Sequence, residues 1–186
     1  NQMWRMSGDI DNSLPLAQVR KVAEQLHELG VMWIEEPLPQ ADIEGIKGIR
    51  EQVGVQISGG EMVRTVAELA HLVESNTFDI YQPDVVLAVG MYRARQIAEM
   101  AELKNRRFSP HSWTNGLGVL ANLQVSAGVG GGPYFEFPYD PPGWTIQRRD
   151  FFMKPIDIDS DGFVHVPDLP GIGVELDFAA IKRFTI

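Results

Sequence analysis

Short apolar runs alternate with amphipathic segments along most of the chain, the signature of β-strands joined by helical crossovers. Strands are predicted at 31–35 (VMWIE), 54–58 (GVQIS), 78–82 (FDIYQ), 106–110 (RRFSP) and 133–137 (PYFEF), and helices at 14–29, 42–51, 63–74, 90–104 and 116–127. In the first helix Leu16, Val19, Val22, Ala23 and Leu26 recur at spacings of three and four, one helical face, and Gly30 closes it. From residue 144 the rhythm stops. No further long helix is predicted there, and SDG running into GFVHV reads as a hairpin.

The polar residues at the C-terminal ends of the strands share a register. Glu35, Glu61, Asp84, His111 and Glu136 stand 26, 23, 27 and 25 residues apart, a period that suits one strand, one helix and two short loops. In a parallel (β/α) barrel such strand ends converge on one face, whereas an open doubly wound sheet splays them apart. The expected fold is therefore α/β, a partial TIM-type barrel over residues 1–143 with a C-terminal extension over 144–186. A whole barrel takes roughly 250 residues. With 186 residues and an Asn-Gln start, the chain is expected to hold only the later strands and to be shortened at its N-terminus.

Composition narrows the function classes. A net charge of −9 argues against a nucleic-acid partner, which would need clustered Lys and Arg to displace counterions. No apolar run reaches the roughly 18 to 20 residues that span a bilayer, so a soluble protein without a membrane partner is expected. The absence of cysteine excludes disulfides and thiolate metal sites and leans toward the cytoplasm.

Chemistry enters through the five strand-end residues. Glu35 and Glu61 are hard oxygen donors from adjacent strands, suited to Mg²⁺, and a single histidine in the set disfavours zinc. A histidine held by a neighbouring carboxylate gains a fixed tautomer and a raised pKa, so His111 with Asp84 suits a general base. Glu136, between Phe135 and Phe137, is a carboxyl in aromatic surroundings that could stay protonated and donate to a developing oxyanion. Each has a plainer alternative: solvated or loop-capping glutamates, an Asp84 that caps a turn, a satisfied loop histidine, an edge Glu136 facing solvent. Together the groups describe proton abstraction next to a carboxylate, with metal and acid stabilising the enediolate.

WIEEP at 33–37, GGE at 59–61, QPD at 82–84, SPH at 109–111, FEF at 135–137 and the tail DGFVHVPDLPGIGVELD at 161–177 resemble the enolase superfamily, within it the mandelate racemase-like group. The resemblance implies a barrel running from the end of the third strand through the eighth. It implies that Glu35 and Glu61 bind Mg²⁺, that His111 is the base oriented by Asp84, and that Glu136 stabilises the intermediate. The family's first metal ligand, an Asp, is expected two positions before Asn1, with Asp9 as a rival. The second-strand lysine motif and the capping domain are expected outside the chain. Some sugar-acid dehydratases of the group carry a proton-donating histidine where Asn1 stands. Without it, His111 would serve both as base and as acid for the leaving hydroxyl. Asn1 and Trp113 are the expected substrate contacts.

The reading favoured is a Mg²⁺-dependent lyase dehydrating a sugar acid to a 2-keto-3-deoxy acid, homo-oligomeric when complete. The alternatives are a racemase or epimerase of a 2-hydroxy acid, and a catalytically silent binding protein or fragment. GVGGGP at 128–133 precedes a predicted strand and reads as a turn, since phosphate loops follow a strand and open a helix. His27, His71 and His165 are assigned to surface or packing, and Trp33, alternating with Glu35, to the barrel interior. The second carboxylate of the pair, Glu36, points away from Glu35 by strand alternation and is expected to anchor the loop or a neighbouring helix.

Overall fold

The structure is a computed structural model that describes residues 14–132 and 134–185. Asn1 and Asp9 lie outside the described residues. Four parallel strands, β1 (Trp33–Glu35), β2 (Gln56–Gly59), β3 (Ile80–Tyr81) and β4 (Arg107–Phe108), stand side by side in the order in which the chain makes them. Five helices alternate with them: α1 (Leu16–Glu28), α2 (Ile43–Gln52), α3 (Val66–Glu74), α4 (Gly90–Leu103) and α5 (Gly116–Gly128). A doubly wound sheet reverses its strand order at a switch point. Strictly sequential order belongs to a segment of a (β/α) barrel.

Side-chain alternation divides the strands between two faces. Ile34, Ile57 and Tyr81 join Val19 and Ala23 of α1, Ile46 and Ile49 of α2, Leu69, Leu72 and Val73 of α3, and Ile97 and Ala101 of α4 in one buried cluster, the outer core. Glu35 is in register with Ser58, and Ser58 with Ile80, so these three share the opposite, inner face. Local chemistry starts the helices where the sequence placed them. Asp42 accepts the Gly45 amide at 2.9 Å, Thr65 that of Glu68 at 3.2 Å and Asn115 that of Gly118 at 3.1 Å, each satisfying an amide of the first turn.

The fifth predicted strand, 133–137, is not one: none of its described residues belongs to a strand or bridge. The chain does run beside β4, but it is held by different bonds. The Gly132 amide donates to the Phe108 carbonyl at 2.7 Å, and the Ser109 hydroxyl to the Tyr134 carbonyl at 2.9 Å. Apolar alternation in PYFEF matches a strand, yet serine side chains take the place of the backbone ladder.

Beyond it, the extension contributes two short helices, α6 (Ile146–Arg149) and α7 (Phe178–Arg183). The turn expected at SDG forms: Ile158 bridges Val164 antiparallel, and the Asp159 amide donates to the Phe163 carbonyl at 2.9 Å. Phe152, Met153 and Ile156 of the extension pack on Val119 and Leu120 of α5, whose Ala121 and Val125 pack with Val85 and Phe108. A helix covered on both sides is apolar nearly all round, as GLGVLANLQV is. Among the described residues no helix is long and apolar enough to cross a membrane.

Candidate active site

Parallel strands of one sheet end on one side, so the residues just past β1, β2, β3 and β4 are brought to a single rim. His111 stands at its centre. Its Nδ1 lies 2.9 Å from Asp84 Oδ2, and its Nε2 lies 3.4 Å from Glu61 Oε2. Asp84 is fully buried and saturated with donors: Oδ1 accepts the amides of Val86 at 2.8 Å and Leu87 at 3.1 Å and the Asn122 side-chain amide at 3.4 Å. A carboxylate so held is a pure acceptor. Nδ1 of His111 therefore carries the proton toward Asp84, which leaves Nε2 as the exchangeable nitrogen.

Glu136 reaches the same rim from the segment that lies beside β4. Its Oε2 accepts the Ser112 amide at 2.5 Å, and its backbone carbonyl accepts the Ser112 hydroxyl. Ser112 thus ties Glu136 to the residue next to the histidine. Glu35, at the end of β1, accepts the Gln82 side-chain amide at 3.1 Å, so β3 fixes the position of a carboxylate two strands away. Glu36 does anchor a loop. It is buried, its Oε1 accepts the Gly60 amide at 3.1 Å, and its backbone turns left-handed with φ 39°. A left-handed non-glycine residue costs energy that its surroundings must offset, here through Gly60 and the Glu36 amide bond to the Ser58 carbonyl at 2.9 Å. Gly59 must be small. A Cβ there would meet the Phe78 ring at 2.6 Å and Glu36 Cγ at 3.0 Å.

The electrostatics follow from burial and crowding. For His111, burial alone would lower the pKa, but the Asp84 hydrogen bond and the charges of Glu136, Glu61 and Asp84 outweigh it and hold the imidazole above its ordinary value. Asp84 is the converse case: burial pushes it up, and its bonds to His111, Leu87, Val86 and Asn122 pull it below the usual carboxylate range. Burial pushes Glu136 up, and the charges of Glu35 and Glu61 add to this against the Ser112 amide and His111. Glu36 is raised as well, first by burial and then by Glu61 and Glu35, against the Gly60 amide.

A stability consequence can be measured in EDTA-treated protein. Because the folded pKa of His111 is raised, its contribution is complete below the unfolded value of about 6.5 and is lost as pH rises through the folded pKa. The thermal midpoint of the protein should exceed that of His111→Asn by most near pH 5.5, and the gap should narrow toward pH 9. A constant gap would contradict the raised pKa.

The structure brings together Glu61, Asp84, His111 and Glu136, with Glu35 at the same rim. Trp113, next to Ser112, is 43% exposed at the surface, and Trp33 faces Tyr134 with ring centroids 5.7 Å apart. Asn1 lies outside the described residues. His27, His71 and His165 are exposed, His165 pairing with Asp159 at 2.6 Å in the hairpin. Gln82, Ser112 and Asn122 were not given roles from sequence. Gln82 and Ser112 sit beside site residues in QPD and SPHS, a signal that was available; Asn122, deep in an apolar helix, offered none.

The donor set fits a hard cation in kind. Among the described residues no group of three or more acidic or histidine side chains is arranged to hold a metal. Mg²⁺, however, keeps several waters and needs only one or two protein carboxylates plus substrate oxygens. Glu35, held by Gln82, and Glu61, beside the histidine, are of that type.

Comparison with known proteins identifies the family and the fold. The family model described as "Enolase C-terminal domain-like" matches residues 3–180. A D-xylonate dehydratase of Haloferax volcanii is 26% identical over 167 residues, 90% of this chain and 40% of the relative. A 3,6-anhydro-alpha-L-galactonate cycloisomerase of Streptomyces coelicolor is 28% identical over 186 residues, the whole chain and 45% of the relative. The chain thus spans less than half the length of these relatives. A solved structure of an enolase superfamily member from Polaromonas sp. JS666 superposes with a TM-score of 0.82 at 26% identity, covering 95% of this chain and 46% of that one. The chain therefore belongs to the enolase C-terminal domain-like family, as the later part of an enolase superfamily barrel of the mandelate racemase-like group.

Proposed function

We propose that this chain supplies the base, the oxyanion acid and two metal-holding carboxylates for Mg²⁺-dependent removal of the proton α to a substrate carboxylate, in the dehydration of a sugar acid to a 2-keto-3-deoxy acid. The observation that carries this reading is His111, held through Nδ1 by buried Asp84 and flanked by Glu61 and Glu136. The Haloferax relative, a D-xylonate dehydratase, supports the outcome.

Glu35 and Glu61 would hold the cation. When bound, Mg²⁺ withdraws charge from the substrate carboxylate and so acidifies its α proton. His111 takes that proton at Nε2, because Asp84 fixes the other nitrogen as a donor. Glu136, whose carboxyl burial pushes above its ordinary value, would in its protonated form donate a hydrogen bond to the oxygen on which charge develops. His111, as imidazolium, then returns its proton to the departing hydroxyl. Asn1 and Trp113 are proposed as substrate contacts. The protein is further proposed to work in the cytoplasm as a homo-oligomer, with no nucleic-acid or membrane partner.

The cycloisomerase among the relatives favours a second reading, in which the same enediolate is reprotonated or rearranged without loss of water. Racemisation or epimerisation of a 2-hydroxy acid is the simplest such outcome. Incubating the protein with Mg²⁺ and a panel of aldonic acids that includes D-xylonate, in deuterated water, separates the two. A 2-keto product is expected. Deuterium at the α carbon with no keto product would favour the second reading, and neither signal across the panel would overturn both.

A further inference from the structure

We infer that Asn122, on α5, is a positioning residue for the base, and this rests on the reading of His111 as that base. Asn122 is fully buried inside a mostly apolar helix, where an unpaired amide would be costly. Two of its three bonds reach the turn after β3. Its Oδ1 accepts the Val85 amide at 2.9 Å, while its Nδ2 donates to Asp84 Oδ1 at 3.4 Å and to the Gly118 carbonyl at 3.1 Å.

The orientation of the amide is fixed by chemistry. Val85 N–H can only donate, so the Asn122 atom facing it must be oxygen, and nitrogen must face Asp84 and the Gly118 carbonyl, which only accept. Asn122 therefore clamps the turn after β3 through the Val85 amide and the Asp84 side chain, and it reads the charge on Asp84. The chain of contacts runs from Asn122 through Asp84 to His111 Nδ1, placing the helix after the base in control of the carboxylate before it. The remaining donors to Asp84 Oδ1, the Val86 and Leu87 amides, belong to the turn that Asn122 holds at Val85.

Asn122→Asp tests this with almost no change of volume. Its carboxylate keeps an acceptor for Val85 but sets an oxygen against Asp84 Oδ1, which turns Asp84 away from His111. Loss of this kind of supporting contact is expected to lower kcat for D-xylonate, or for the best acid of the panel, by about ten- to hundredfold. KM and Mg²⁺ affinity should stay within about threefold. In the Mg²⁺-loaded protein, the low-field proton resonance of His111 Nδ1–H should be displaced or lost. Val125→Ala, on the same helix and packed with Val85 and Phe108, is the control: it should lower the thermal midpoint while leaving kcat unchanged. Should Asn122→Asp fail to fold, Asn122→Ser, whose hydroxyl is too short to span both partners, carries the same expectation. An unchanged kcat and an unchanged Nδ1–H resonance in the folded variant would overturn the inference. So would an equal loss of kcat in Val125→Ala. If the wild type turns over no acid, it is the proposed function that fails. The Nδ1–H comparison still decides the role of Asn122.

Discussion

His111→Asn is expected to lower exchange of the substrate α proton by about three orders of magnitude, the range a positioned general base contributes. Asparagine is close in size to histidine near the backbone, and its side-chain amide can donate to Asp84 Oδ2 as Nδ1 does. The buried Asp84 then keeps its fourth bond, and the strand ends stay in place. What the variant lacks is a nitrogen that can accept a proton. Mg²⁺ affinity, measured by calorimetry, should stay near that of the wild type, because Glu35 and Glu61 are unchanged and the partial neutralisation of Glu61 by a protonated imidazole is removed. The pairing of lost exchange with retained metal binding distinguishes a base from a ligand. A variant that still exchanges the proton at the wild-type rate removes His111 from the role of base. One that loses Mg²⁺ to the same degree places it among the ligands instead.

Much of the barrel was legible because its signals are local. A parallel strand buried on both faces is a short apolar run, a helix shows its three-and-four spacing, and Asp42, Thr65 and Asn115 mark where helices start. The strand ends were legible for the same reason: in a barrel, position along the chain maps onto position around the rim. Failures began where a segment depends on a distant partner. The alternation in PYFEF predicts a strand, but whether it pairs is decided by Ser109 and Ser112, which replace the ladder with side-chain bonds. Asn122 in GVLANLQV, like Gln124 beside it, looks like a polar interruption of a mostly apolar helix, and nothing local ties it to Asp84, 38 residues earlier. The dipeptide Arg149-Asp150 carries no local sign of its place: charged residues are seldom fully buried, yet both side chains are completely buried here.

That buried pair should give the largest stability effects in the chain. Arg149 Nε donates to Asp150 Oδ1 and Nη2 to Oδ2, each at 2.7 Å. The guanidinium also lies over the Phe137 ring at 4.4 Å and donates to the carbonyls of Pro138 at 3.3 Å and Ile156 at 2.5 Å, while Asp150 accepts the Ile156 amide at 2.8 Å. The pair thus pins the extension to the residues that follow Glu136. Removing one charge leaves the other buried without compensation, so Arg149→Met and Asp150→Asn should each destabilise the protein by about 3 to 5 kcal/mol. The double variant, Arg149→Met with Asp150→Leu, removes both charges together and escapes that penalty. It still strands the Ile156 amide and the carbonyls of Ile156 and Pro138, at about 1 to 3 kcal/mol for each group. Its loss should therefore fall short of the sum of the single losses, the non-additivity of groups in direct contact. Denaturant melts of the three variants measure the difference. Strict additivity would mean that Arg149 and Asp150 act independently, and that the extension is held to the Glu136 segment by the apolar contacts of Phe135 and Phe137 alone.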